Sequence, residues 1–218
     1  MKRLIGAVLL LPAAAFGHVL WIEASPESLR LCFGEPPEEV GKLERMEGIE
    51  ARLEDASGRV ERLPLESRPD GFYAKPARAG WITAFQQESR VKESKRLGCA
   101  VLSRYHARAA AGIPQQAPAH RMELDILPAG KEGAVSVRVL FRGDPLKKSR
   151  LIVTAPNGWQ KEVRTDADGE GSFTPLWEGL YVVSLEHVET VPGEHEGQPY
   201  DAVRHVATLS LRVDDAGP

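Results

Sequence analysis

An all-β chain made of two small antiparallel β-sandwich domains, the second immunoglobulin- or transthyretin-like, is predicted by three features. Apolar and polar residues alternate with a period of two in several segments, as a strand with one buried face requires. Turn residues, drawn from 20 glycines and 16 prolines, recur along the whole chain. Outside the amino-terminal run, no apolar stripe keeps helical spacing beyond two turns.

In order, Val19 to Ala24, Leu29 to Phe33, Glu50 to Leu53, Phe72 to Ala74 and Trp81 to Gln86 read as strands of a first domain, 18–120. Residues 114–118 read as a connection, with Glu123 to Pro128 leading into a second domain, 121–214. There Val135, Val137, Val139 and Phe141 share one parity, and Gly143-Asp144-Pro145 ends their strand as a turn. Leu151 to Thr154 follows. Lys161 to Thr165 and Ser172 to Pro175 read as a hairpin about a glycine-rich turn. Gly179 to Glu189 and Ala202 to Val213 are the last strands, and spacing of about 10 residues suits a sandwich.

Met1-Lys2-Arg3 followed by apolar Leu4 to Ala15 is the pattern of a signal peptide, residues 1–17. The run falls short of the roughly 20 residues a membrane helix needs, so no membrane span is expected after its removal. Small residues at Ala15 and Gly17 place the cut before His18; a rival cut after Ala15 would leave Phe16 first. A periplasmic protein is expected. There Cys32 and Cys99 would meet oxidising conditions and form a disulfide, or else remain as two buried thiols.

Charge excludes other classes. With 28 basic and 31 acidic residues the formal net charge is −3, so there is no basic field for nucleic acid. Two cysteines are too few for a zinc ribbon. Asp166-x-Asp168-x-Glu170-Gly171 opens like a calcium loop, but Trp177 stands where the closing bidentate Glu should be. No Gly-x-Ser-x-Gly elbow, phosphate loop or dinucleotide fingerprint is present, so no enzymatic activity is expected.

The six histidines carry the remaining signal. His205 shares parity with Val203, Leu209 and Leu211, and His187 with Tyr181, Val183 and Leu185, so both face the apolar side of their strands. An antiparallel pairing of those strands brings the two rings together. His18 shares parity with Leu20 and Ile22. If His18 were first in the mature chain, its amine and Nδ1 could chelate one ion, and the amine, with an ordinary pKa of about 7.7–8.0, loses its proton readily. The predicted metal ligands are therefore His18, His187 and His205, with His195, Glu189 and Asp201 as additional donors. Nitrogen-rich sites of this kind suit copper and nickel, with cobalt and zinc possible. His106 and His120 lie among arginines, which discourages a cation, and read as structural or surface residues.

Motifs spread from Gly17-His18 through Gly71-Phe72-Tyr73 to Ala207-Thr-Leu209 resemble those of NikK-like proteins, an exported bacterial domain family that serves as the periplasmic component of cobalt/nickel ABC-type transport. Gly17-His18-Val-Leu-Trp-Ile-Glu23 resembles the family's amino end, and Gly71-Phe72-Tyr73 with Ala79-Gly80-Trp81 its first hairpin. Ser103-Arg-Tyr-His-Ala-Arg108 with Met122-Glu-Leu-Asp-Ile-Leu-Pro128 is similar to its linker. Val137 to Gly143, Thr165 to Gly169, Gly179-Leu-Tyr181, Tyr200-Asp201 and Ala207-Thr-Leu209 resemble its second half. The resemblance implies a periplasmic transition-metal-binding protein accessory to nickel/cobalt uptake, with His18 as the position carried over and a membrane metal transporter as partner. Two alternatives stand beside it: a copper histidine-brace protein (a carrier or a monooxygenase-like oxidase), and an envelope sandwich module that binds no metal.

Overall fold

Burial alternates along short strands such as Glu50–Glu54 and Glu170–Phe173, but runs unbroken through Tyr181–Leu185 and His205–Ser210. The computed structural model describes residues 17–25, 27–37, 39–40, 46, 48–86, 89–111, 117–131 and 134–214. The export segment and most of the connection expected at 114–118 lie outside the described residues. The first half contributes β1 (Val19–Ala24), β2 (Leu29–Glu35), β3 (Glu39–Val40), β4 (Glu50–Glu54), β5 (Val60–Leu63), β6 (Glu66–Arg68), β7 (Gly71–Ala74), β8 (Gly80–Gln86), β9 (Lys92–Ser94) and β10 (Cys99–Ala111). The second contributes β11 (Leu124–Lys131), β12 (Ala134–Phe141), β13 (Asp144–Pro145), β14 (Arg150–Thr154), β15 (Gln160–Arg164), β16 (Glu170–Phe173), β17 (Gly179–Glu189), β18 (Gly193–His195), β19 (Gln198–Tyr200) and β20 (Ala202–Val213). No α-helix occurs among the described residues, and the chain is an all-β protein of sandwiched sheets.

One nine-stranded sheet runs through both halves in the order β15-β14-β17-β20-β10-β8-β4-β5, with β9 beside β10. Its neighbours pair antiparallel except at the centre, where β10 and β20 lie parallel with Ser103 opposite Arg204 and His106 opposite Ala207. A sheet of β1, β2, β3, β6 and β7 covers one half, and a four-stranded sheet of β11, β12, β13 and β16 covers the other. Two cores result. Trp21, Ile22, Leu31, Ile82, Ala107 and Val206 fill the first. Leu124, Ile126, Val139, Val183, Leu185 and Leu209 fill the second.

Because successive residues of a strand face opposite ways, the two central strands feed both cores. In β20, Val206 belongs to the first core, whereas Ala207 and Leu209 belong to the second. In β17, Val182 faces the first, whereas Val183 and Leu185 face the second. The outer edge of β1 is capped by hydroxyls of β20: Thr208 Oγ1 donates to the Leu20 carbonyl at 2.6 Å, and the Ile22 amide donates to Ser210 Oγ at 3.3 Å. Buried backbone groups that no strand satisfies thus find side-chain partners.

Three expectations are corrected. The segment Ser103 to Arg108, likened to a linker, lies in the middle of the thirteen-residue β10. Its Ala107, Ala109 and Ala111 share one buried face, a strand signal that arginines at 104 and 108 mask in the sequence. Residues 161–165 and 172–175 do not close a hairpin: β15 pairs with β14 and β16 with β12, so the turn carries the chain from one sheet to the other. Cys32 and Cys99 are both free. Cys32 is buried in the first core on β2, where burial and the nearby Glu23 carboxylate raise its pKa, while Cys99 opens β10 on the other sheet.

Candidate metal centre

β10 presents Arg104, His106 and Arg108 on the face toward β11, and the stretch entering β11 presents Glu123 and Asp125 in return. At one end, Arg108 grips Asp125 by two bonds of 2.9 and 2.7 Å, and both side chains are wholly buried. The Arg121 amide donates to the same carboxylate at 3.0 Å. At the other end, Arg104 Nη1 donates to Glu123 Oε2 at 2.7 Å. Between these two ion pairs sits His106, 2% exposed, with neither ring nitrogen hydrogen-bonded. Burial, and then the neighbouring His205, lower its pKa to about 4, so it is neutral at ordinary pH.

His205 comes in from β20, its ring fully buried and stacked on His106 with centroids 6.1 Å apart. Burial also lowers its pKa, although Glu123 and Glu189 oppose the shift. A neutral imidazole has one N–H and one lone pair. Nε2 lies 3.1 Å from Glu189 Oε2, and a carboxylate only accepts, so Nε2 carries the proton and donates it there. Nδ1 is left as a buried lone pair without a hydrogen bond, 3.7 Å from Glu123 Oε2. A metal-binding histidine commonly has its second nitrogen fixed by a carboxylate in this manner.

One donor atom each from His106, Glu123 and His205 lie within 4.8 Å of one another. Bonds of about 2.1 Å to a transition ion would set such donors about 3.0–3.4 Å apart, so the three must draw together by an ångström or so to close on one. Arg142, at the turn after β12, seals the solvent side. It makes two bonds to Glu123 Oε1, at 2.9 and 2.7 Å, and two to Glu189, at 2.9 and 2.8 Å. Burial raises the Glu123 pKa, but the bonds from Arg142 and Arg104 outweigh it and keep the carboxylate ionised.

The sequence-predicted donors divide. His187 and His205 are direct cross-strand partners with ring centroids 6.3 Å apart, and Glu189 joins them through His205. His187 is the outermost of these, packed on Phe141 at 4.5 Å. His18 is not among them. It sits on the opposite face of the nine-stranded sheet, edge-on to Phe33 at 5.6 Å, in a cleft it shares with Arg204 and Tyr105. His195 is on the β18–β19 hairpin beside Arg90 and Lys92. Asp201 is engaged structurally: its carboxylate accepts from the Ala100 amide at 3.0 Å and ties β20 to β10.

His106 and Glu123 are the functional candidates that reading the sequence missed. A signal existed: Arg104-x-His106-x-Arg108 and Glu123-x-Asp125 alternate in step, as complementary charges on two facing strands would. Compared with known proteins, the chain matches no family model and no curated protein. Among the described residues, no helix is long and apolar enough to cross a membrane.

Proposed function

We propose that this is an exported, non-enzymatic transition-metal-binding protein that holds one divalent ion at His106, Glu123 and His205 and supplies it to a membrane transporter in nickel or cobalt uptake. One observation carries the reading. The His205 Nδ1 lone pair is buried without a partner between an ionised carboxylate and a second unpartnered imidazole, while Nε2 is committed to Glu189. Leaving such atoms unsatisfied costs about 1–3 kcal/mol each, and an ion would satisfy His106 and His205 together. Two imidazoles and a carboxylate form a mixed nitrogen and oxygen set that suits nickel, cobalt or zinc, with copper favoured by intrinsic affinity alone. Export is supported by the amino-terminal pattern, and the transport role by the resemblance to NikK-like proteins.

A brace built on the His18 amine gains less support, because no second histidine is among the described residues lining its cleft. Calorimetric titration of chelator-stripped protein with Ni(II), Co(II), Zn(II) and Cu(II) tests the assignment. One equivalent should bind, binding should vanish in His205→Asn and His106→Gln, and His18→Ala should retain it. Binding lost in His18→Ala but kept in His106→Gln would overturn the proposed site in favour of the amine-anchored one.

A further inference from the structure

Across the nine-stranded sheet from the histidines lies a cleft of about 660 Å³, bounded by the start of β1, by β9 and by the 89–96 segment. Its chemistry is the reverse of the metal centre's. Arg96 and Arg204 line it together with Glu186, Phe33 and Tyr105. The two best-placed guanidiniums share one counter-ion. Arg204 Nε donates to Glu186 Oε2 at 2.6 Å, and Arg96 Nη2 donates to Glu186 Oε1. One carboxylate therefore answers two positive charges at the wall of the cleft.

The two arginines are held differently. Arg204 is fixed: its side chain is 16% exposed, and its Nη1 reaches the Tyr105 hydroxyl at 3.5 Å. Arg96 is 64% exposed and free to re-aim. Phe33 and Tyr105, packed edge to face at 5.2 Å, give the cleft a rigid aromatic wall. Rigid guanidiniums beside apolar surface recognise planar carboxylates on a short carbon frame, and a concave wall focuses the field that draws them in.

We propose that this cleft is a binding site for a small organic polycarboxylate, with Arg204 as the fixed anchor and Arg96 as the arm that leaves Glu186 to close on the ligand. This site is independent of the metal centre. Because they face opposite sides of one sheet, each can be removed without the other.

The test is titration of chelator-stripped protein with citrate, with acetate as the single-carboxylate control and inorganic phosphate as the control for a generic anion. Citrate should bind with one equivalent at submillimolar concentration, should weaken as sodium chloride rises, and should outcompete acetate and phosphate at least tenfold. Arg96→Gln should weaken citrate about tenfold. Arg204→Gln combined with Glu186→Gln, which removes a buried charge pair together and so protects the fold, should abolish binding, while His205→Asn should leave it unchanged. No citrate binding, equal binding of phosphate, or binding unchanged in both arginine variants would each overturn the proposal.

Discussion

At one level of the nine-stranded sheet, three neighbouring residue pairs turn opposite ways. Tyr105, Glu186 and Arg204 face the cleft, whereas His106, His187 and His205 face the β11–β12 sheet. On the first side the positive charge is permanent, and Arg96 carries part of it into solvent. On the second, burial strips the imidazoles of their protons, and carboxylates supply the charge. One side therefore favours an anion and the other a cation, separated only by the thickness of a sheet. The lesson is how sharply strand alternation partitions chemistry: a slip of one residue in β20 would exchange Arg204 for His205 and invert both sites.

Four perturbations sharpen or break this contrast. The largest effect is expected from Asp125→Ala, which leaves the wholly buried Arg108 charge unpaired. It should cost about 3–5 kcal/mol in urea unfolding, and a loss below about 1 kcal/mol would show that this face is not held by ion pairs.

Acid comes next. The unfolded chain protonates His106 near its ordinary pKa of about 6.5, whereas the folded chain resists until about 4. The unfolded state thus binds more protons between those values, and stability of the metal-stripped protein should fall as pH drops from about 6.5 to 4. The loss from this residue should be about 3 kcal/mol, and His187 and His205 add to it with the same sign. His106→Phe should flatten the profile; an unchanged slope would contradict a buried neutral ring.

Glu189→Gln tests the orientation of His205. The amide can still accept from Nε2 but lacks the charge, so ion affinity should fall about 10–100-fold with little change in stability. Equal affinity in calorimetry would remove Glu189 from the site.

The smallest effect on stability belongs to Arg142→Gln. Its side chain is 53% exposed, so its pairs with Glu123 and Glu189 are worth about 1 kcal/mol or less. Ion affinity should nonetheless rise, because both carboxylates lose a competing cation; a fall would mean that Arg142 shapes the site rather than masks it.

The sequence legible as strands was the part with clean alternation. Val19–Ala24, Gly179–Glu189 and Ala202–Val213 have the bounds their patterns give, and the parity of His187 and His205 brings the two rings side by side as expected. β10 escaped because its two faces are alanine and charge, not the apolar and polar alternation that marks a half-buried strand. With β10 unread, His106 looked like a histidine among repelling arginines. In the fold those arginines are neutralised by Glu123 and Asp125, so the repulsion is answered locally.

His18 shows the complementary failure. Parity groups it with Leu20 and Ile22, but β1 belongs to the sheet that covers the other face of the nine-stranded sheet, and nothing in a strand's own pattern says which face its sheet will cover. Local patterning was enough to set the strand type, most of the register of the last hairpin and the placement of His187 and His205 on one face of it, because these depend on neighbours close along the chain. That β10 lies parallel to β20, that Glu123 and His106 complete the cluster, and that His18 stands behind the sheet emerge only in the assembled fold. Those outcomes depend on contacts between residues far apart in sequence, which no local periodicity encodes.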